Sequence, residues 1–167
     1  DYDAPIEESG NITPKYHEVR NLHKKYLPQG EILPDIPDSI PTIAIPSFEL
    51  TETALLFDNL PQAKVSENIK PMELFNQGWG NILYRTHLQA SDQEQILTIT
   101  EIHDWAQVFI DGEKIATLSR LKGEGVVKLP PMKNGGRLDI LVEAMGRMNF
   151  DKGIYDWKGI TEKVEIE

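Results

Sequence analysis

The sequence contains two kinds of side chain that can carry out acid–base or metal chemistry. It has 27 aspartate and glutamate residues, four histidines and no cysteine. His17 and His23 are six residues apart, so a helix would place them on different faces, while His87 and His103 belong to separate strand-like runs. None of these spacings is typical of a metal site, and the lack of cysteine excludes a thiolate zinc site. We therefore predict neither a metal nor another cofactor.

The abundance of carboxylates raises the question of glycosidic-bond hydrolysis, which requires two facing carboxyl groups. Abundance does not identify such a pair, because most of these residues occupy turns or the polar positions of strand-like runs. No phosphate-binding glycine loop and no nucleophile elbow is present. No acid or base stands in a context that predicts burial. We expect no catalytic residue in this chain.

Three tryptophans, Trp79, Trp105 and Trp157, carry rings that can stack on sugars. Large aromatic rings more often fill a core or seal its edge, and we expect that role for all three.

The overall charge limits the partners. The 167 residues carry a formal net charge of −10 and are 40% hydrophobic, a globular composition. An acidic surface repels phosphate backbones and anionic lipid heads, so we expect neither a nucleic acid nor a membrane partner. Neutral ligands such as sugars remain compatible with this charge.

Three segments position these side chains: 1–27, 28–70 and 71–167. In the first, Thr13 is a favourable N-cap and Pro14 is suited to the first helical position, and apolar residues recur at helical spacing up to Tyr26. The second is rich in proline, which disfavours helix and central strand, yet it is too apolar for a free linker. It predicts an extended strap packed on a neighbour, with a short edge strand near Ile43 or Phe48.

The third segment reads as a series of short strands separated by turns. Residues 81–88 and 95–102 are rich in β-branched and aromatic side chains, and Asp111-Gly112 is a typical hairpin turn. Leu138, Ile140 and Val142 alternate with Asp139, Leu141 and Glu143 in a half-buried strand, and further strand-like runs surround it. The pattern predicts an all-β, antiparallel jelly-roll β-sandwich preceded by one helix and the strap.

Several stretches, taken in order, resemble glycoside hydrolase family 35, the β-galactosidases. The opening "DYDAPIEESG" with "TPKY" is similar to the end of the family's catalytic (β/α)₈ barrel. "FNQGWGNILYRTHL", "HDWAQVFIDG", "ILVEAMGRMNF" and "DWKGI" resemble the family's first β-domain, a galactose-binding-like jelly roll. The resemblance covers nearly the whole chain, although the strap contributes little to it.

The resemblance implies that the catalytic residues lie in a different part of the parent enzyme from this β-domain. The family is retaining, with one glutamate as acid/base and another as nucleophile, and both belong to earlier barrel strands that this sequence does not include. It also implies that the helix beginning at Pro14 is the last helix of that barrel. The chain is therefore expected to be inactive alone.

The resemblance also points to individual residues. Tyr2 matches a tyrosine that lines the galactose pocket, and Phe150 stands where some family members aim a tyrosine at the pocket mouth. Phe150 keeps a stacking ring but lacks the hydroxyl. Arg147 and Asn149 are expected to brace the loop that carries Phe150. Trp105 replaces an arginine usual in the family and is expected at a contact surface.

We therefore predict the non-catalytic β-domain portion of an enzyme that hydrolyses terminal β-D-galactosyl residues. Its partners would be the catalytic barrel of the same polypeptide and, through the parent enzyme, a β-galactoside. Two alternatives remain open at this stage: a stand-alone carbohydrate-binding module, and a structural domain that self-associates through its helix and strap. The compartment is undetermined, although a secreted or periplasmic parent is compatible with the resemblance.

Overall fold

The computed structural model describes residues 3–167, and the chain divides into two compact units, Asp1–Leu60 and Pro61–Glu167. The first unit contains helix α1 (Pro14–Lys24), with Thr13 at the N-cap position as predicted. The Thr13 hydroxyl does not cap the helix; it donates to the carbonyl oxygens of Ala4 and Pro5, at 3.3 and 3.0 Å. Throughout residues 3–167, no helix combines the length and the apolar character needed to cross a bilayer.

Residues 28–55 form no helix or strand, as their proline content requires. The short strand expected near Ile43 or Phe48 is absent, because Pro41 and Pro46 flank that run and remove two of the amides that a ladder needs. The side-chain amide of Asn11 holds the segment instead. Its Nδ2 donates to the Ile40 carbonyl oxygen at 3.3 Å, and its Oδ1 accepts from the Ile40 amide at 3.0 Å.

The first unit leaves its apolar side chains uncovered. None of residues 3–60 is buried, and Ile32, Ile43 and Phe48 are 89, 84 and 72% exposed. A chain this apolar is usually covered by another surface.

The second unit contains nine strands in residues 61–167. A four-stranded antiparallel sheet has the order β1-β7-β4-β5, a three-stranded sheet has the order β6-β2-β9, and β3 pairs with β8. In chain order the strands are β1 (Asn81–Leu88), β2 (Gln95–Ile99), β3 (Ile102–His103), β4 (Trp105–Ile110), β5 (Glu113–Ser119), β6 (Val126–Leu129), β7 (Gly136–Glu143), β8 (Gly159–Ile160) and β9 (Val164–Ile166). The predicted all-β antiparallel sandwich is confirmed.

One hydrophobic core joins the sheets. Leu138, Ile140 and Val142 of β7 all point inward, as their alternation predicts, and pack in the same cluster as Leu97 of β2 and Ile160 of β8. The β4–β5 hairpin turns at Asp111-Gly112, whose φ angles are 50° and 91°. Positive φ at both positions is the requirement that Asp-Gly meets, so this prediction is also confirmed.

Tyr84 connects β1 to β8. Its hydroxyl donates to the Lys70 carbonyl oxygen at 2.8 Å and accepts from the Ile160 amide at 3.0 Å, and burial raises the pKa of Tyr84 to about 12. The backbone of Gly159 passes this hydroxyl so closely that a Cβ there would lie 2.4 Å from it.

Gly159→Ala should therefore destabilise the second unit by roughly 2–4 kcal/mol, since alanine would clash with Tyr84 and would also occupy a φ of +93°. Urea denaturation measures the change in the free energy of unfolding. Gly78→Ala is the matched control, because no atom lies within 4 Å of a Cβ there. A Gly159→Ala protein as stable as this control would contradict the packing.

Candidate functional site

The loop between β7 and β8, residues 144–158, concentrates the exposed apolar side chains of the second unit. Phe150 and Tyr155 are 83 and 79% exposed, and Met145, Met148 and Ile154 are each more than half exposed. These five side chains lie within eleven residues of one another in the sequence. Exposing this much apolar surface to water is energetically unfavourable. We call residues 144–158 the β7–β8 loop.

Glu73 holds the loop near both of its ends. Its carboxylate accepts from Arg147 Nη2 at 2.5 Å and from the backbone amide of Lys158 at 2.9 Å. Arg147 Nε also donates to the Gly78 carbonyl oxygen at 2.6 Å. Charge-assisted hydrogen bonds of this kind are among the stronger polar contacts in proteins, so the loop termini are fixed in position.

A cluster of charges lies at the C-terminal end of the loop. Lys158 is only 1% exposed, and its Nζ lies 2.5 Å from Asp104 Oδ2 and 2.9 Å from Asp156 Oδ2. Arg120 Nη1 lies 2.9 Å from an oxygen of each of the same two aspartates. The negative charges of Asp104 and Asp156 thus balance the positive charges of Arg120 and Lys158.

The charge state of Asp156 follows from this arrangement. Burial raises the pKa of Asp156, but hydrogen bonds and attraction from Arg120 and Lys158 outweigh burial and hold the pKa at about 2. Burial lowers the pKa of Lys158, and its two aspartate partners reverse that effect so that the net shift is upward. Asp156 is therefore ionised at neutral pH and cannot serve as a proton donor.

His103 belongs to the same cluster. Its Nδ1 lies 2.5 Å from the Trp157 carbonyl oxygen and 3.2 Å from Asp156 Oδ1, and its Nε2 lies 2.9 Å from Glu101 Oε2. Strand β3 is thereby attached to the C-terminal end of the β7–β8 loop.

A second charged cluster lies on the four-stranded sheet. Asp139 is completely buried, and its carboxylate accepts from Arg85 Nε at 2.5 Å and from Arg137 Nε at 2.9 Å. The contact with Asp139 outweighs desolvation and raises the pKa of Arg85. The pairing joins β1 to β7, and both oxygens of the Asp139 carboxylate accept hydrogen bonds from arginine.

The expectation that no acid or base is buried is wrong, since Asp139, Lys158 and His103 are 0, 1 and 7% exposed. Asp139 occupies an outward position of β7, where alternation predicts exposure. The side chains of Arg85, opposite it on β1, and of Arg137, two residues before it on β7, bind its carboxylate there. The only signal in the sequence is the presence of Arg137 two residues before Asp139, on the same face of the strand.

The prediction that all three tryptophans fill the core or seal its edge is wrong for Trp79, which is 82% exposed. Trp157 is 46% exposed and Trp105 is half-buried on the outer face of β4, so neither lies inside the core, and their role at its edge stays a prediction.

Three of the four residues predicted from the family resemblance, Arg147, Asn149 and Phe150, lie in the β7–β8 loop. Tyr2 lies outside the described residues. Phe150 is on the surface of the β7–β8 loop, and Asn149 is exposed. Arg147 makes the contacts with Glu73 and Gly78 given above. Sugar contact by Tyr2 and Phe150, and the bracing role of Asn149, stay predictions.

Neither metal-ligating side chains nor surface depressions among residues 3–167 identify a further candidate site. Within residues 3–167, no group of three or more histidine, aspartate or glutamate side chains is arranged to hold a metal ion. A shallow depression lies between β5 and β6, and Glu124 is its one titratable lining residue. Glu124 Oε2 accepts from the Ser119 amide at 2.9 Å, so this carboxylate already closes a turn.

Comparison with known proteins shows one consistent relationship. Residues 70–167 match the family described as β-galactosidase, first all-β domain. β-Galactosidase 1 of Dictyostelium discoideum is 31% identical over 185 residues, covering 96% of this chain and 27% of that protein. The β-galactosidase of Xanthomonas manihotis is 31% identical over 168 residues (100% and 28%), and β-galactosidase 8 of rice, Oryza sativa subsp. japonica, is 34% identical over 184 residues (100% and 27%). The chain spans about a quarter of the length of these relatives.

The low pKa of Asp156 predicts acid sensitivity. A depressed pKa contributes stability that is complete above the unfolded value of 3.8 and is lost as the pH falls through about 2. The contribution of Asp156 is roughly 2 kcal/mol. Asp156→Asn should lower the free energy of unfolding at pH 7 and flatten its decline between pH 4 and pH 2, as measured by urea denaturation across that range. Asp92→Asn, at an exposed turn, should preserve the decline; equal slopes in both variants would refute the pairing.

Proposed function

Since this chain belongs to the β-galactosidases of glycoside hydrolase family 35 and carries their first all-β domain, we propose that it is the non-catalytic β-domain portion of such an enzyme. In this proposal the β7–β8 loop contacts the catalytic domain and shapes the substrate entrance. The parent enzyme would hydrolyse terminal non-reducing β-D-galactosyl residues. The observation that carries the proposal is a loop rich in exposed apolar residues that is fixed at both ends by ion pairs.

The chemistry of the described acids supports a non-catalytic role. A retaining glycosidase needs a carboxylic acid with a raised pKa and a free carboxylate about 5–5.5 Å away. Asp104 and Asp156 are close together, but each binds both Arg120 and Lys158. The cations lower the pKa of Asp156, which is the opposite of what a general acid requires.

The β7–β8 loop has the properties of a docking surface. Its apolar side chains are exposed, while Arg147 and Lys158 tie its ends to Glu73. A rigid apolar surface loses little conformational entropy when a partner covers it, which favours association. Exposed apolar surface of this kind usually marks a place where another protein surface binds.

Phe150 is the residue best placed to reach a sugar from this loop. Its ring is 83% exposed, so one face can stack on the apolar face of a pyranose, while the absent hydroxyl leaves no hydrogen bond to offer. Tyr2 would supply such a hydroxyl from the catalytic side. The two residues would then contribute different kinds of contact to one pocket.

The domain organisation is proposed in the same terms. Residues 1–27 would end the catalytic barrel, 28–70 would form the strap, and 71–167 would form the β-domain. The absence of any buried residue in 3–60 supports this division, because that segment needs an external surface to cover Ile32, Ile43 and Phe48. The catalytic barrel of the same polypeptide would provide that surface.

A stand-alone carbohydrate-binding module is the alternative with a specific observation in its favour, namely the exposed rings of Trp79, Phe150 and Tyr155. It requires saturable galactose binding by this chain alone. Chemical shifts that remain unchanged up to tens of millimolar galactose would reject it, whereas saturable shifts confined to these rings would favour it over the docking role. Self-association, the other alternative, would appear as concentration-dependent light scattering.

The purified chain should not hydrolyse a nitrophenyl β-galactoside above background, because the close pair of acids Asp104 and Asp156 is bound by Arg120 and Lys158, which hold the pKa of Asp156 at about 2. Asp156→Asn serves as the control for a contaminating enzyme and should leave any residual signal unchanged. Turnover that copurifies with the chain and disappears in Asp156→Asn would contradict the proposal.

In the longer polypeptide that we propose contains this chain, Phe150→Ala should lower kcat/KM for the same substrate by about tenfold, as expected for the loss of one stacking contact. The melting temperature should change little, since the ring is on the surface. Leu121→Ala, at a residue that is 97% exposed beyond β5, is the matched control and should retain full activity. An unchanged kcat/KM in Phe150→Ala would remove Phe150 from the substrate entrance.

A further inference from the structure

The four methionines of the chain fall into two groups. Met72 and Met132 are 0 and 6% exposed and pack in the core, whereas Met145 and Met148 are 59 and 52% exposed. Both exposed methionines lie in the β7–β8 loop. Because the chain has no cysteine, their thioethers are the sulfur atoms that are open to an oxidant in the surrounding water.

Met148 differs from an ordinary surface methionine, because its side chain folds back onto Gly153. A Cβ atom at Gly153 would overlap Met148 Sδ, and it would lie 3.4 and 3.5 Å from Met148 Cγ and Cβ. The side chain of Met148 therefore lies along the Cα of Gly153 and occupies space that only a glycine leaves free. One residue is thus both exposed to water and part of the internal packing of the loop.

This contact closes the tip of the loop, residues 149–152. Phe150 lies in the tip, and Asp151 has a φ of 60°, which residues other than glycine rarely adopt. On its other side, Gly153 accepts a hydrogen bond from the Asp156 amide at 3.0 Å. Gly153 consequently connects Met148 to the charged cluster at the C-terminal end of the loop.

We propose that Met148 is a site of reversible oxidation by peroxides, and that its oxidation loosens the tip of the β7–β8 loop. A lone pair of Met148 Sδ bonds to one oxygen of hydrogen peroxide while the O–O bond breaks, and the departing oxygen takes up a proton and leaves as water. The sulfur loses two electrons and the peroxide gains them. The product, a sulfoxide, is polar and larger than the thioether, so it favours water over the Cα of Gly153.

The consequence for sugar cleavage rests on the proposed function, in which the tip carries Phe150 to the substrate entrance. The oxidation itself and the loosening of the tip are properties of this chain, and both are measured on the chain alone.

The site of oxidation is identified by treating the folded wild-type chain with hydrogen peroxide and mapping its peptides by mass spectrometry. We expect Met145 and Met148 to be oxidised at least about tenfold faster than Met72 and Met132, which react only after the structure opens. Oxidation of Met148 that is no faster than oxidation of the two core methionines would overturn the proposal, whatever the activity of the parent enzyme.

The loosening of the tip is measured by hydrogen exchange in Met145→Leu, where Met148 is the one exposed methionine left in the loop. Peroxide should accelerate exchange of the Asp156 amide by about fourfold, the effect expected when the burial of one methylene-sized group is lost. Treatment with methionine sulfoxide reductases should restore the original rate. The Lys158 amide, which binds Glu73, is the internal reference and should exchange at one rate throughout.

Met148→Leu is the matched control, because leucine remains apolar and has no sulfur. In this variant peroxide still oxidises Met145, yet the exchange of the Asp156 amide should not change. An equal response in both variants, an unchanged Asp156 rate after oxidation of Met148, or an equal acceleration at Lys158 would each overturn the loosening of the tip. The assay of Phe150→Ala separately judges the proposed function.

Discussion

The ammonium group of Lys158 is almost fully enclosed, and it remains charged there only because Asp104 and Asp156 both bind it. An unpaired buried charge costs several kcal/mol, so the two carboxylates and the shared Arg120 must arrive in place together. The backbone on either side of Lys158 is consequently fixed: its amide binds Glu73, and its carbonyl oxygen accepts from the Met72 amide at 2.9 Å.

A charged cluster does more here than an apolar contact of the same size would do. Hydrophobic contacts tolerate sliding, whereas hydrogen bonds between charged groups fix distance and direction. The β7–β8 loop has few apolar side chains that point into the core, so its shape is set by Glu73, Arg147 and the groups around Lys158. Most of its apolar side chains are thereby left exposed.

The strands and the hairpin could be predicted from local sequence patterns, because each pattern reflects a local constraint on the backbone. The alternation of Leu138, Ile140 and Val142 reports a sheet with one buried face, and Asp111-Gly112 reports a turn with positive φ. The lack of regular elements in residues 28–55 could be predicted for the opposite reason, since their prolines disfavour both helix and central strand. The missing strand near Ile43 shows the limit of composition: the apolar side chains favour a strand, and the flanking prolines remove the ladder that it needs.

The amino-acid order was thus sufficient for the strands, the hairpin and the family. It was insufficient for the clusters around Lys158 and Asp139, because residues far apart in the chain build them. Lys158 and Asp104 are 54 positions apart, as are Asp139 and Arg85. No local pattern predicts burial of a charged side chain; that outcome depends on which counter-charges folding brings within hydrogen-bond distance. Tertiary structure alone therefore decided which acids are paired with cations, which histidine is buried, and which aromatic rings stay exposed.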